Sequence, residues 1–102
     1  MDVNDTQSRA ELLRYAKAKF PKAAGVRLLD NEFDREIVGI VQLKFMGARI
    51  KTGVSRELWE RSMDFNTLRA HMERHRWYET VNHVPPPTLR VLLGENGWIE
   101  WK

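Results

Sequence analysis

Residues 36–54 read EIVGIVQLKFMGARIKTGV, and their pattern decides the fold. Ile37, Val41, Leu43 and Phe45 fall on odd positions with Gln42 and Lys44 between them, the period of two expected of a strand with one buried face. A two-residue turn at Gly47 and Ala48, glycine first as type II′ requires, pairs Met46 with Arg49 and Phe45 with Ile50. Leu43 then faces Thr52 and Val41 faces Val54, so the apolar residues of both strands share one side. Lys44 meets Lys51. Like charges directly opposite on a sheet repel by a few tenths to about 1 kcal/mol. With Arg49 beside them and Gln42 extending the row, Lys44 and Lys51 form a candidate anion-binding face. The plainer reading is a solvated strand surface with long side chains splayed into water.

On the N-terminal side, Ser8 or Thr6 is placed to cap a helix that ends near Phe20, before Pro21, with SRAE at capping-box spacing. Leu12, Leu13, Ala16 and Phe20 share its core-facing arc, while Arg14, Lys17 and Lys19 spread around the solvent side. AGVRLL, residues 24–29, reads as a short edge strand and DNEFD, residues 30–34, as a turn. On the C-terminal side, Ser55 and Asp64 are caps for two tandem helices. The second shows two faces, since Phe65, Leu68 and Met72 lie nearly opposite Ala70, Trp77 and Val81. VPPP, residues 84–87, ends that pattern. TLRVLLGENGWIEWK, residues 88–102, is a second hairpin turning near Asn96 and Gly97 within the sheet. Leu89, Val91, Leu93 and Trp98 fall on one of its faces, with Leu92, Ile99 and Trp101 on the other.

These readings predict a single α+β domain over residues 1–102. A mostly antiparallel sheet, built from two hairpins (about 36–54 and 88–102), packs against helices at about 7–20, 55–63 and 65–81. The order strand, helix, helix, hairpin from Arg49 to Trp101 offers a winged-helix-like alternative, with Asn66, Thr67 and Arg69 near the start of the recognition helix. Glu95 at the tip of that wing would repel phosphate, and Trp98, Ile99 and Trp101 suit burial.

A chain of 102 residues with 30% charged and 42% hydrophobic residues suits one globular core. With no cysteine, a disulfide framework and thiolate chemistry are excluded, which fits a reducing compartment. The polar, acidic start and the lack of a long apolar run predict neither export nor a membrane anchor, so a cytoplasmic location is expected. A net charge of +3 favours anionic partners without naming nucleic acid. The charge is unevenly spread: six basic residues stand against one acidic between Arg9 and Arg27, and four acidic against one basic from Asp30 to Glu36.

His71, His75 and Glu79 follow one another at single helical turns, a spacing able to hold a divalent ion. HMERH, however, places Met where the zincin motif needs its catalytic Glu, so half-buried boundary histidines are the favoured reading and no metal or other cofactor is expected. RHRWY, Arg74 to Tyr78, interleaves cations and rings of the kind that contact phosphates and bases. Arg69, Glu73 and Arg76 form a stripe on that helix and Arg74 points away. The glycines form no phosphate loop, and no nucleophile elbow is present.

The expected function is therefore non-enzymatic. The chain is read as a small binding protein that occupies a protein or nucleoprotein partner, in the manner of phage or mobile-element inhibitors of anti-CRISPR type. Its candidate contact residues are Lys44, Arg49, Lys51, Arg69, Arg74 and Arg76. Direct nucleic-acid binding is the alternative, and a small metal-free ribonuclease working with His, Arg, Lys and Tyr is third.

Overall fold

Asp5, one residue ahead of Thr6 and three ahead of Ser8, the two expected caps, opens the first helix. In the computed structural model, which describes residues 1–29, 36–82 and 90–99, its carboxylate accepts from the Ser8 amide at 3.0 Å and the Ser8 hydroxyl at 2.9 Å. The helix α1 spans Thr6–Lys19, so Ser8 is a buried residue of its first turn. Those two bonds hold the Asp5 carboxyl below its ordinary range. Leu12, Ala16 and Phe20 are buried along one side, as the spacing predicts, whereas Leu13, expected beside them, is only partly buried.

The strands are β1 (Gly25–Leu29), β2 (Ile37–Phe45), β3 (Ala48–Ser55), β4 (Arg90–Gly94) and β5 (Gly97–Ile99), and they lie in that order across one sheet. Three of the four pairings are antiparallel, and β4 runs parallel to β3. The expected α+β architecture with two hairpins is present in a mixed sheet. The parallel pair follows from the helices that separate β3 from β4, since such strands need a long crossover. The second hairpin forms one edge of the sheet, with β1 at the other.

The β2–β3 register differs from the expected one. The turn falls on Met46 and Gly47, with Gly47 at φ +81°, so Phe45 pairs with Ala48, Lys44 with Arg49, Leu43 with Ile50 and Gln42 with Lys51. Positive φ at the second turn position, where glycine is comfortable, replaces the expected glycine-first turn. The slip is two residues, so faces are kept while partners change.

A bulge then alters the faces themselves. Val38 pairs with Val54 and Val41 with Thr52, leaving Gly39 and Ile40 opposite Gly53 alone. Gly39 takes φ +66°, the left-handed first position of a glycine bulge. Ile37, expected beside Val41 in the main core, is consequently turned to the reverse side with Ile40, Leu92 and Leu29, and Val38 takes its place.

Helix α2 (Arg56–Arg61) is capped by the Ser55 hydroxyl, which accepts from the Leu58 amide at 3.1 Å. Asp64 caps α3 (Phe65–Arg74), accepting from the Thr67 amide at 2.8 Å. Both caps are those the sequence predicts. The single helix expected over residues 65–81 is instead two. Arg76 adopts φ +56°, and α4 (Trp77–Asn82) follows it in a new phase. A continuous helix would hold Phe65, Leu68 and Met72 on one face and Trp77 and Val81 nearly opposite, leaving one set in water. A left-handed residue costs about 1–2 kcal/mol. Burying each large apolar side chain returns about 1.5–3 kcal/mol. The break therefore wins, and the Trp77 indole reaches the buried Thr52 hydroxyl, donating at 3.3 Å.

Core residues of α1, α2, α3 and α4 all pack on the Val38, Val41, Leu43, Ile50, Val54 and Leu93 side of the sheet. In the second hairpin Leu93 pairs with Trp98 toward this core and Leu92 with Ile99 on the reverse, the faces the alternation predicts, while the turn falls at Glu95 and Asn96, one residue before the expected Asn96 and Gly97. Residues 30–34, the VPPP connection, Leu89 and Trp101 lie outside the described residues.

Candidate binding surface

No helix packs on the reverse side of the described sheet core, and strand pairing arranges that side in rows. One row runs Gly25, Lys44, Arg49, and the next runs Arg27, Gln42, Lys51 and on to position 90. Neighbouring strands stand about 4.8 Å apart, so Arg27 and Lys51 are about 10 Å from each other across Gln42. Arg27, Lys44 and Arg49 are exposed and Lys51 is partly so. None of the four takes part in an ion pair among the described residues. No acidic residue occupies either row.

Lys44, Arg49 and Lys51 are thus brought together, though the like-charge pair is Lys44 with Arg49, and Lys51 faces Gln42. Arg27 is a member the sequence reading missed. Its alternation in VRLL puts it on the side away from Val26 and Leu28, but only the pairing of β1 with β2 sets it beside Gln42. Beyond these rows the same side turns apolar at Leu29, Ile37, Ile40 and Leu92. The tip, Met46, is fully exposed.

Arg69, Arg74 and Arg76 lie on the helix side of the molecule, apart from the hairpin cations. Arg69 is exposed on α3 near Glu11, Arg14 and Tyr15. Arg74 ends α3, and Arg76 occupies the break, outside the stripe expected for it with Arg69 and Glu73. Tyr15 packs between Phe65 at 6.1 Å and Trp77 at 5.5 Å. Burial pushes its phenol up to about 12, so it stays protonated.

The His71 and His75 rings lie against each other with centroids 4.4 Å apart and planes tilted by 45°. His71 Nε2 lies 3.1 Å from the Gly94 carbonyl, and the His75 carbonyl accepts from the Trp98 indole at 3.0 Å. Both residues therefore join the end of α3 to the β4–β5 hairpin. Burial, with the neighbouring His71 and Arg74, lowers the His75 pKa below its ordinary value. Glu79 belongs to α4, beyond the break, and among the described residues no three His, Asp or Glu side chains are grouped to hold a metal ion.

At the far end of the sheet, Glu36, Glu57 and Glu95 line a cleft with Trp98 and Ile99. The Glu95 carboxylate is held by Arg61 Nε at 2.9 Å, which gives it a structural partner. Among the described residues no helix is long and apolar enough to cross a membrane. Comparison with protein-family models, curated proteins and solved structures finds no match.

Proposed function

We propose that this chain is a non-enzymatic binding protein that works by occupying an acidic surface of a protein or nucleoprotein partner. The reverse side of the β2–β3 hairpin is its docking surface. The observation that carries the reading is the group of Arg27, Lys44, Arg49 and Lys51, four cations on adjacent strands that form no ion pair among the described residues. Such a single-sign patch steers anionic partners and fixes their orientation. Met46 at the tip adds an exposed apolar side chain of the kind enriched at interface cores. The described reverse rows carry no aromatic ring, so they offer phosphate or carboxylate contacts without a platform for base stacking.

Immobilised wild type is compared with a variant carrying Arg27→Gln, Lys44→Gln, Arg49→Gln and Lys51→Gln, using nuclease-treated lysate of the source cell. A protein held by the wild type and lost by the variant is the expected result. Equal retention by both sinks the proposal. Titration of a labelled duplex at two salt concentrations tests direct nucleic-acid binding. Four phosphate contacts would weaken binding about 150-fold between roughly 50 and 200 mM salt. A slope that steep, together with loss of all captured protein after nuclease treatment, would transfer the reading to nucleic acid.

A further inference from the structure

The core side of the same hairpin end borders a cleft of about 220 Å³, between the end of α1, the end of β2 and α4. Phe20 forms its floor, with Phe45 edge-on at 6.0 Å and Tyr78 tilted beside it at 5.1 Å. Tyr78 is 38% exposed, so part of its ring is open to a further contact. Lys19, Lys22 and Asn82 stand around this floor, and among the described residues no acidic one lines the cleft. The Lys19 ammonium lies 5.6 Å from the centroid of the Tyr15 ring, a cation–π contact that positions the charge without neutralising it. The volume falls below the roughly 300–1,000 Å³ of small-molecule sites, which fits one side chain better than a whole organic ligand.

We propose that this cleft is a socket for an aromatic side chain flanked by carboxylates, carried on a peptide segment of the protein partner. The incoming ring packs on Tyr78 at the offset or edge-to-face separations that aromatic pairs prefer, and the flanking carboxylates meet Lys19 and Lys22. A nucleotide also joins a ring to an anion. The peptide is favoured by continuity: Phe45 in the cleft and Lys44 in the cationic row are consecutive residues, so one partner wrapped around the hairpin end meets both. Carboxylates suit both surfaces, whereas a nucleic-acid strand would find rings only in the cleft. The inference rests on the hairpin reading and names the chemistry of the partner.

The test uses the full chain labelled with nitrogen-15 and three probes: the N-acetyl amides of Glu-Glu-Phe-Glu-Glu and Glu-Glu-Ala-Glu-Glu, and pentathymidylate. The phenylalanine peptide should move the amide resonances of residues 19, 20, 22, 23, 45 and 78–82, and the alanine peptide should bind about tenfold more weakly. Lys19→Gln with Lys22→Gln, both on the surface, should weaken the phenylalanine peptide about fivefold. The four glutamine substitutions on the reverse face should leave its affinity within about twofold, since five residues do not reach around the hairpin. Equal affinity for the two peptides, no measurable binding, shifts confined to the reverse face, or tighter binding of pentathymidylate at the cleft would each overturn the proposal. Equal retention of the lysate protein by wild type and the four-glutamine variant, with peptide binding intact, would overturn the hairpin reading alone.

Discussion

Gly39 gives the sharpest test of the architecture. A Cβ added there would lie 2.8 Å from Leu12 Cδ2 and 3.2 Å from Trp59 Cζ3, and the residue sits at φ +66°. Gly47 has φ +81° but nothing within 4 Å of its Cβ position. Gly39→Ala and Gly47→Ala therefore share the conformational cost, about 1–2 kcal/mol, partly offset by about 0.4–1 kcal/mol from a stiffer unfolded chain. Only Gly39→Ala adds overpacking, about 1–3 kcal/mol. The expected losses are about 2–4 kcal/mol at position 39 and about 0.5–1 kcal/mol at position 47. Urea unfolding followed by tryptophan fluorescence measures both, because Trp59 and Trp77 are buried and report loss of the core. Equal losses in the two variants would refute the packing account of the bulge. A loss below about 1 kcal/mol at Gly39 would do the same, since it would mean that Leu12 and Trp59 give way freely.

Arg76→Gly should raise stability by up to about 1 kcal/mol, because it relieves a left-handed residue that is not glycine; thermal melting should rise by a few degrees, and a fall would argue against the break as the strained point. Trp77→Phe leaves the buried Thr52 hydroxyl without its indole donor and should cost about 1–3 kcal/mol in urea unfolding, whereas a neutral result would show that this bond contributes nothing. The Thr67 amide and hydroxyl lower the Asp64 pKa below its ordinary 3.8. Its contribution is thus complete above that value and is lost as pH falls through the depressed folded value. Urea midpoints measured on either side of about pH 4 should therefore fall more steeply for wild type than for Asp64→Asn, and parallel curves would remove that linkage. Arg49→Glu replaces the Lys44–Arg49 repulsion by attraction and should stabilise the hairpin by a few tenths to about 1 kcal/mol. The same change should weaken capture of an acidic partner, so unchanged capture would count against the docking surface.

What was legible in the sequence was local. Ser55 and Asp64 act as caps because a short polar side chain followed by a helical pattern needs no distant partner to define it. The faces of the second hairpin follow from alternation alone. The β2–β3 register was only half legible: alternation preserved the faces, but MGA allows the turn to start at Met46 or Gly47, and each choice re-pairs every charge. Gly39 inside the apolar run from Ile37 to Val41 was the available sign of the bulge. The helix break carried no glycine or proline, and its one trace was the conflict between the Phe65, Leu68, Met72 face and the Trp77, Val81 face. Arg27 and the Lys19, Phe20, Phe45, Tyr78 cleft depend on contacts between separate elements, which periodicity cannot supply.

The placement of the cations on the hairpin follows from what its other side contributes. Val41, Leu43 and Ile50 are buried against the helices, so burial on one face holds the strands in register. That anchoring lets the reverse face carry Lys44 opposite Arg49, with Arg27 and Lys51 in the next row, although among the described residues no carboxylate pairs with them. A hairpin under selection for stability alone would place opposite charges beside its turn, since the exchange costs nothing in packing at these exposed sites. Retaining a repulsive pair there is a local departure from the most stable arrangement, and such departures collect where a surface serves binding. The fully exposed Met46 at the adjoining turn departs in the same direction, because hydrating an apolar side chain at a tip contributes nothing to the fold. The proposed docking of an acidic surface with an apolar recess against the hairpin end would relieve charge repulsion and apolar exposure together.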